Sequence, residues 1–163
     1  MEKTGKNNVL ETLKTRFAGA VLECGPDKGD AVAVVDPARI HEIVSFLKDG
    51  PQAGFEMLAD LCGVDYLPRT PRFEVVYQLH NLRTGERVRL RAQLEEKSCE
   101  IATISDLFPN ADWLEREAWD MFGIVFTGHP NLKRLLMYEP FEGHPLRRDY
   151  PINKRQPLIG PKN

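Results

Sequence analysis

Long apolar runs are missing from this chain. No stretch approaches the ~18–20 uninterrupted apolar residues of a transmembrane helix. The opening residues, MEKTGKNN, carry neither the apolar stretch of a secretory signal nor an arginine-rich amphipathic presequence. A chain made and kept in a reducing compartment is expected. A dominant charge is missing too: 22 Lys and Arg stand against 24 Asp and Glu, a net −2, which gives no global case for binding a polyanion. Cysteine is scarce. Cys24, Cys62 and Cys99 lie 38 and 37 positions apart with no C-x-x-C pair, so no zinc knuckle or iron–sulfur ligand run is written locally. Three scattered thiols are expected to be small buried hydrophobes. There is no G-x-S-x-G, glycine-rich phosphate loop or dinucleotide fingerprint, so no activated nucleophile or nucleotide cradle is in view.

What is present fits one soluble domain. The chain has 163 residues, 42% apolar and 28% charged, and a chain near 150 residues buries roughly 70% of its unfolded surface. The charge divides unevenly. Residues 128–163 hold seven bases (Lys133, Arg134, Arg147, Arg148, Lys154, Arg155, Lys162) and three acids (Glu139, Glu142, Asp149), a net +4 that leaves −6 for residues 1–127. Six of the 12 prolines also fall in these last 36 residues, a density that forbids long helices and central strands. The expected organisation is a compact body over 1–127 and an extended, basic, proline-rich docking arm over 128–163.

The body reads as α+β. Asn8 and Glu11 have capping-box spacing ahead of Leu10, Leu13 and Phe17, predicting a helix over about 8–18. Ala20–Glu23 and Ala31–Val35 read as strands joined by the turn-rich Cys24–Asp30. Asp36 and Pro37 open a second helix whose buried face is Ile40, Ile43, Val44 and Leu47, closed by Gly50 and Pro51. Phe55, Met57, Ala59 and Leu61 alternate as a strand. Phe73–Leu79 and Val88–Leu94 alternate likewise, and flank a hairpin turn at Asn81–Gly85. Arg87, Arg89 and Arg91 fall on the wetter face, where plain solvation explains them. Asn110 is a candidate cap for a helix with an Arg116–Asp120 pair that Gly123 ends, followed by extended Ile124 and Phe126. The predicted fold is a single sheet of about five mainly antiparallel strands, helices packed on one face, then a C-terminal helix and the arm.

Three clusters are candidates for chemistry. Gly128-His129-Pro130 and Gly143-His144-Pro145 place two histidines 15 apart. A zinc hydrolase would need three protein ligands, and no H-x-x-x-H or H-x-x-E-H supplies them, so backbone-bonding histidines are the better reading. Glu115, Glu117 and Asp120 gather carboxylates on one helix, but positions i and i+2 face apart. A polar network with Arg134, Arg147 and Arg148 is expected rather than an acid–base pair. Pro145-Leu146-Arg147-Arg148-Asp149-Tyr150-Pro151 suits phosphate or nucleic acid by charge. The interleaved Leu132, Leu135, Leu136, Met137, Tyr138, Phe141, Leu146 and Tyr150 suit a protein-docking arm better, because such side chains act as interface anchors. Its many prolines and few local hydrogen bonds suggest an arm that orders on a partner.

Three blocks in fixed order are distinctive: E-R-E-A-W-D-M-F-G-I at 115–124, F-T-G-H-P-N-L-K-R-L-L at 126–136 and G-H-P-L-R-R-D-Y-P at 143–151. They closely resemble the C subunit, the thirty-kilodalton subunit, of the proton-pumping NADH:quinone oxidoreductase, respiratory complex I. The strong resemblance covers about Asn110–Pro151, and Val64-Asp65-Tyr66 adds to it weakly. It implies a subunit with no catalytic, cofactor-binding or metal-binding residue of its own. Such a subunit sits peripherally in the hydrophilic arm, on the cytoplasmic side of the bacterial membrane. It packs on the large D subunit, which with the B subunit frames the quinone site; FMN, iron–sulfur clusters and quinone belong to partner subunits. The docking residues implied are Glu115, Arg116, Glu117, Asp120, His129, Pro130, Arg134, His144, Pro145, Leu146, Arg147, Arg148, Asp149 and Tyr150. An end soon after Pro151 implies the stand-alone form rather than a fusion to the D subunit. The lack of a presequence favours a bacterial source. F420H2-dependent reductases and membrane-bound hydrogenases carry the same motifs and are the alternative assemblies.

Overall fold

The computed structural model describes residues 4–50, 54–154 and 156, with side chains from Val9 onward. Helix α1, Thr4–Arg16, begins before the predicted start, so Asn8 lies inside it rather than capping it. No proline interrupts Thr4–Asn8, and end signals are easily overridden. Leu10 and Leu13, with Phe17 just beyond the helix, are buried.

Strands β1 (Val21–Asp27) and β2 (Asp30–Val35) run through the segment expected to be a loop. The turn is only Lys28-Gly29, with φ of 48° and 92°, the two positive dihedrals that match strand twist in a two-residue hairpin. Pro26 is tolerated because β1 is a sheet edge. Asp36 then accepts a hydrogen bond from Ala38 N at 2.9 Å. One 3-10 turn, Pro37–Arg39, precedes α2, Ile40–Asp49, which buries the four predicted residues.

Strands β3 (Met57–Asp65), β4 (Phe73–His80) and β5 (Arg87–Leu94) complete a sheet in the order β1-β2-β5-β4-β3. Only β2–β5 is parallel. The predicted phase of β3 is wrong. A bulge between Leu58 and Asp60 shifts the alternation, so Leu58 and Leu61 are buried while Met57 and Ala59 are exposed. A small parallel pair, β6 (Glu100–Ala102) and β7 (Val125–Thr127), is bridged by α3 (Ala111–Phe122), which packs on β3. β6 is absent from the sequence reading because three residues carry too little alternation to register.

Tyr77, Phe55, Phe73, Phe126, Ile104 and Ile124 fill the core. On the opposite face the arginine row does more than solvate. Arg91 forks onto Glu74 at 2.7 and 2.9 Å, and Arg89 reaches Gln78 and Asp30 at 3.0 and 3.1 Å. The thiols depart from expectation as well: Cys62 is exposed, and Cys24 and Cys99 are only half-buried. Simple alternation along β3 leaves Cys62 outward beside the inward Leu61.

Candidate functional site

Asp120, on the buried face of α3, organises the start of the arm. Its Oδ2 accepts three successive backbone N–H groups, Leu135 (3.0 Å), Leu136 (2.8 Å) and Met137 (2.9 Å), and its Oδ1 accepts Arg134 Nη1 at 2.6 Å. Burial pushes its carboxyl up, but these donors outweigh it and hold the carboxyl below the usual range. Arg134 continues to the carbonyls of Phe141 (2.6 Å) and Gly143 (3.1 Å) and packs against the rings of Trp119 and Phe141. Arg116 lies one turn away. It does not pair with Asp120 as its i, i+4 spacing suggests; it donates to the carbonyls of Lys133 and Arg134, both at 3.2 Å, with its guanidinium over Trp113. The arm's backbone is a better partner for both, because an extended segment has unpaired N–H and C=O groups that burial would otherwise leave unsatisfied.

The second half of the arm closes the C-terminus of α3. The last four carbonyls of a helix need outside donors. Trp119 O takes Gly123 N (2.7 Å), Asp120 O takes His144 Nδ1 (3.1 Å), Met121 O takes Leu146 N (3.1 Å) and Phe122 O takes Arg147 Nε (2.5 Å). Arg147 also places positive charge at the negative helix end. Gly123 has φ 75°, and a Cβ there would come within 2.6 Å of both His144 Nε2 and Arg147 Nη2. Gly123→Ala therefore combines left-handed strain with a clash against the cap. A loss of about 2 kcal/mol is expected, read as a lower urea midpoint with an unchanged slope.

A third contact ties the arm's end to the sheet. Arg72 is buried and uses all five N–H groups: Nε and Nη2 on Asp65 (3.0 and 2.8 Å), Nη2 and Nη1 on Asp149 (2.6 and 3.0 Å), and Nη1 on Glu96 (2.6 Å). Asp65 also accepts Leu67 N and Arg148 N, each at 2.9 Å. Burial raises its carboxyl, yet these donors bring it down to about 2.

Of the expected carboxylate–arginine network, Asp120 with Arg134 forms, and the two glutamates do not join it. Glu115 is fully buried and meets Thr103 and Ile104 N rather than an arginine, while Glu117 is exposed. Both histidines bond backbone: His129 accepts Asn131 N at Nδ1 and reaches Asp112 O from Nε2, and burial lowers the pKa of His144. Pro130, Leu146, Arg148 and Asp149 are exposed; Pro145 and Tyr150 are half-buried. Arg148 donates to Leu67 O at 2.7 Å, and the Tyr150 ring stacks on Phe141. Arg72 escaped the sequence reading because its partners stand 7, 24 and 77 residues away. The hydrogen bonds that the arm lacks locally are supplied by the body.

This same stretch, α3 through Gln156, falls inside a match to the family described as Respiratory-chain NADH dehydrogenase, 30 Kd subunit, which spans residues 33–156. The chain belongs to this family. As a 30 Kd subunit it is 45% identical to the C subunit of NADH-quinone oxidoreductase from Roseiflexus sp. strain RS-1, over 91% of this chain and 85% of that one. The C subunit from Citrifermentans bemidjiense is 44% identical, over 94% and 96% respectively. A solved trypsin-resistant fragment (1-134) of Nqo5 superposes with TM-score 0.69 at 34% identity, over 79% of this chain and 100% of the fragment. An archaeal membrane-bound sulfane sulfur reductase structure shares the fold at TM-score 0.74 and 20% identity, over 90% of this chain and 86% of that one. The resemblance read from the three motif blocks and the predicted α+β class both stand. Among the described residues, no helix of this 30 Kd subunit is long and apolar enough to cross a membrane.

Proposed function

We propose that the chain is a non-catalytic, peripheral hydrophilic-arm subunit of a proton-translocating NADH:quinone oxidoreductase, on the cytoplasmic side of a bacterial membrane. In this reading it docks on the D subunit, next to the B subunit. FMN, iron–sulfur clusters and quinone reside on partner subunits, and electrons pass from NADH to quinone without touching this chain. The observation that carries the reading is the arm's construction. Asp120 and Arg116 bond its backbone to the body and Arg72 bonds the side chain of Asp149, while Leu136 and Leu146 stay 56% and 55% exposed. A prefixed arm loses little entropy on binding, and its projecting aliphatic side chains are suited to pockets on a partner.

A histidine-metal hydrolase is disfavoured by what the histidines do: both ring nitrogens of His129 are engaged by backbone groups, and Nδ1 of His144 is used at the helix end. Purification of the tagged chain in mild detergent and low salt should recover a large assembly with bound FMN and clusters and with NADH oxidation. Recovery of the chain alone overturns the proposal. A neighbour set identified by mass as an F420H2 or hydrogenase module would redirect it to those relatives. Leu136→Asp with Leu146→Asp should reduce the recovered D subunit at least tenfold, about 1.4 kcal/mol, while the isolated chain melts as before. Unchanged recovery would place docking elsewhere.

A further inference from the structure

The two tryptophans of the chain are placed differently. Trp119 is half-buried between Arg134 and His144, whereas Trp113, in the first turn of α3, stands 58% exposed. An aromatic side chain of this size buries roughly 150–250 Å² when it is covered, and it has few rotatable bonds to order on binding. The Trp113 ring is not loose. The Arg116 guanidinium lies 4.9 Å from its centroid and covers one face. Arg116 is itself buried and donates to Lys133 O and Arg134 O, each at 3.2 Å. These carbonyls lead directly into Leu135, Leu136 and Met137, whose N–H groups hang on Asp120. One side chain, Arg116, therefore supports both the indole and the stretch that presents the exposed Leu136. The indole continues the arm's surface onto α3.

The chemistry around the ring specifies what fits it. The Trp113 indole N–H makes no hydrogen bond with the described residues. Glu117 is exposed and forms no ion pair among the described residues. Trp113 and Glu117 stand at i and i+4 and share one face of the helix. That face offers an apolar ring, an unspent donor and an unspent carboxylate. The complement is an apolar slot with an acceptor oxygen inside and a cation at its rim.

We propose that Trp113 is the aromatic anchor of the docking surface: the partner that takes the arm closes over the indole with such a slot, accepts its N–H, and meets Glu117 with an arginine or lysine. The proposal rests on the reading of the chain as a docking subunit and names the chemistry of the partner's side. Large aromatic side chains in desolvated pockets carry much of an interface's binding energy, and a ring fixed before binding loses less freedom on contact. Arg116 is then a positioning residue, which orients the ring through the arm's carbonyls.

The test compares the isolated full chain with the assembly recovered through it, by hydroxyl-radical footprinting and peptide mass mapping. Trp113 should oxidise roughly tenfold more slowly in the assembly, because an anchored ring is shut off from water. Equal oxidation in the two overturns this proposal alone; recovery of the chain without partners overturns the docking reading and this proposal with it. Trp113→Ala should lower the recovered D subunit at least tenfold, about 1.4 kcal/mol. Trp113→Phe should lose less, since its ring fills part of the slot without the N–H. Glu117→Lys should also lower recovery, most strongly at low salt, where exposed charges are least screened. Amide exchange of Leu135, Leu136 and Met137 in the isolated chain separates contact from support. It should be unchanged in Trp113→Ala. Faster exchange there would make the indole a prop for Arg116 and the arm, and overturns the anchor, as does full recovery with Trp113→Ala. Footprinting of the parent chain decides the matter if that variant does not fold.

Discussion

Asp120→Ala is expected to destabilise the chain by about 3–5 kcal/mol, the cost of removing one partner from a buried pair. The substitution strips Arg134 of its carboxylate and leaves the N–H groups of Leu135, Leu136 and Met137 without an acceptor. Each buried orphan donor costs about 1–3 kcal/mol, so the arm should detach before the sheet unfolds. Urea titration should show a lower midpoint. Amide exchange should show residues 134–147 opening while β4 and β5 stay protected. Asp120→Asn separates shape from charge. Its oxygen can still serve the three amides, but its NH2 meets the Arg134 fork donor to donor, and an intermediate loss is expected. The pH dependence has a fixed sign. A carboxyl held below its unfolded pKa stabilises fully above that unfolded value, and the contribution is lost as pH falls through the folded pKa. An Asp120→Ala variant as stable as the parent would show that the three-amide cradle is only a geometric coincidence.

Arg72→Ala is expected to cost as much, about 3–5 kcal/mol, although Arg72 lies outside the three motif blocks. Its removal leaves Asp65, whose side chain is 1% exposed, as a buried carboxylate without a cation. The arm also loses its anchor at Asp149. Arg72→Lys should recover less than half, because one ammonium cannot fork onto two carboxylates and a third acceptor. Asp149→Ala should cost only about 1 kcal/mol, since Asp149 is half-exposed and Arg72 keeps Asp65 and Glu96. Asp65 titrates at about 2 against an ordinary 3.8. It therefore contributes about 2 kcal/mol of stability that is present above pH 4 and lost between about pH 4 and 2. Acid unfolding should be shallower over that window in Asp65→Asn. Thermal melts of the four variants between pH 2 and 7 check all of this. Equal midpoints for Arg72→Ala and Asp149→Ala would contradict the central place given to Arg72.

The two predictions concern residues of very different visibility. Asp120 stands out within W-D-M-F-G, and its role as an arginine partner is legible in the sequence. What is not legible there is that its spacing from Arg116 is misleading. The i, i+4 rule ranks partners on an isolated helix, whereas here an extended segment crosses the same face and offers both residues backbone groups in need of pairing. Glu115 shows the same gap: helix periodicity places it inward, but only the packing of 103–105 against α3 decides that it meets two neutral donors and no cation. The β3 phase error has a local cause, a single bulged position at Leu58–Asp60, which reverses the face of Met57 and Ala59 without changing the composition of the strand.

The sequence alone determined the order of the three α-helices and of the five strands of the main sheet, the buried faces of α2, β4 and β5, and the end of α3 at Gly123. Hydrophobic period, capping residues and proline content act over a few neighbouring positions and leave their marks there. The three motif blocks also sufficed to suggest the family. Tertiary structure alone decided where the arm's hydrogen bonds go. Beyond its own short turns, the arm makes its hydrogen bonds through contacts distant in sequence, and Asp120, Arg72 and the last carbonyls of α3 are brought to it only by the closed sheet and the helix packed on β3.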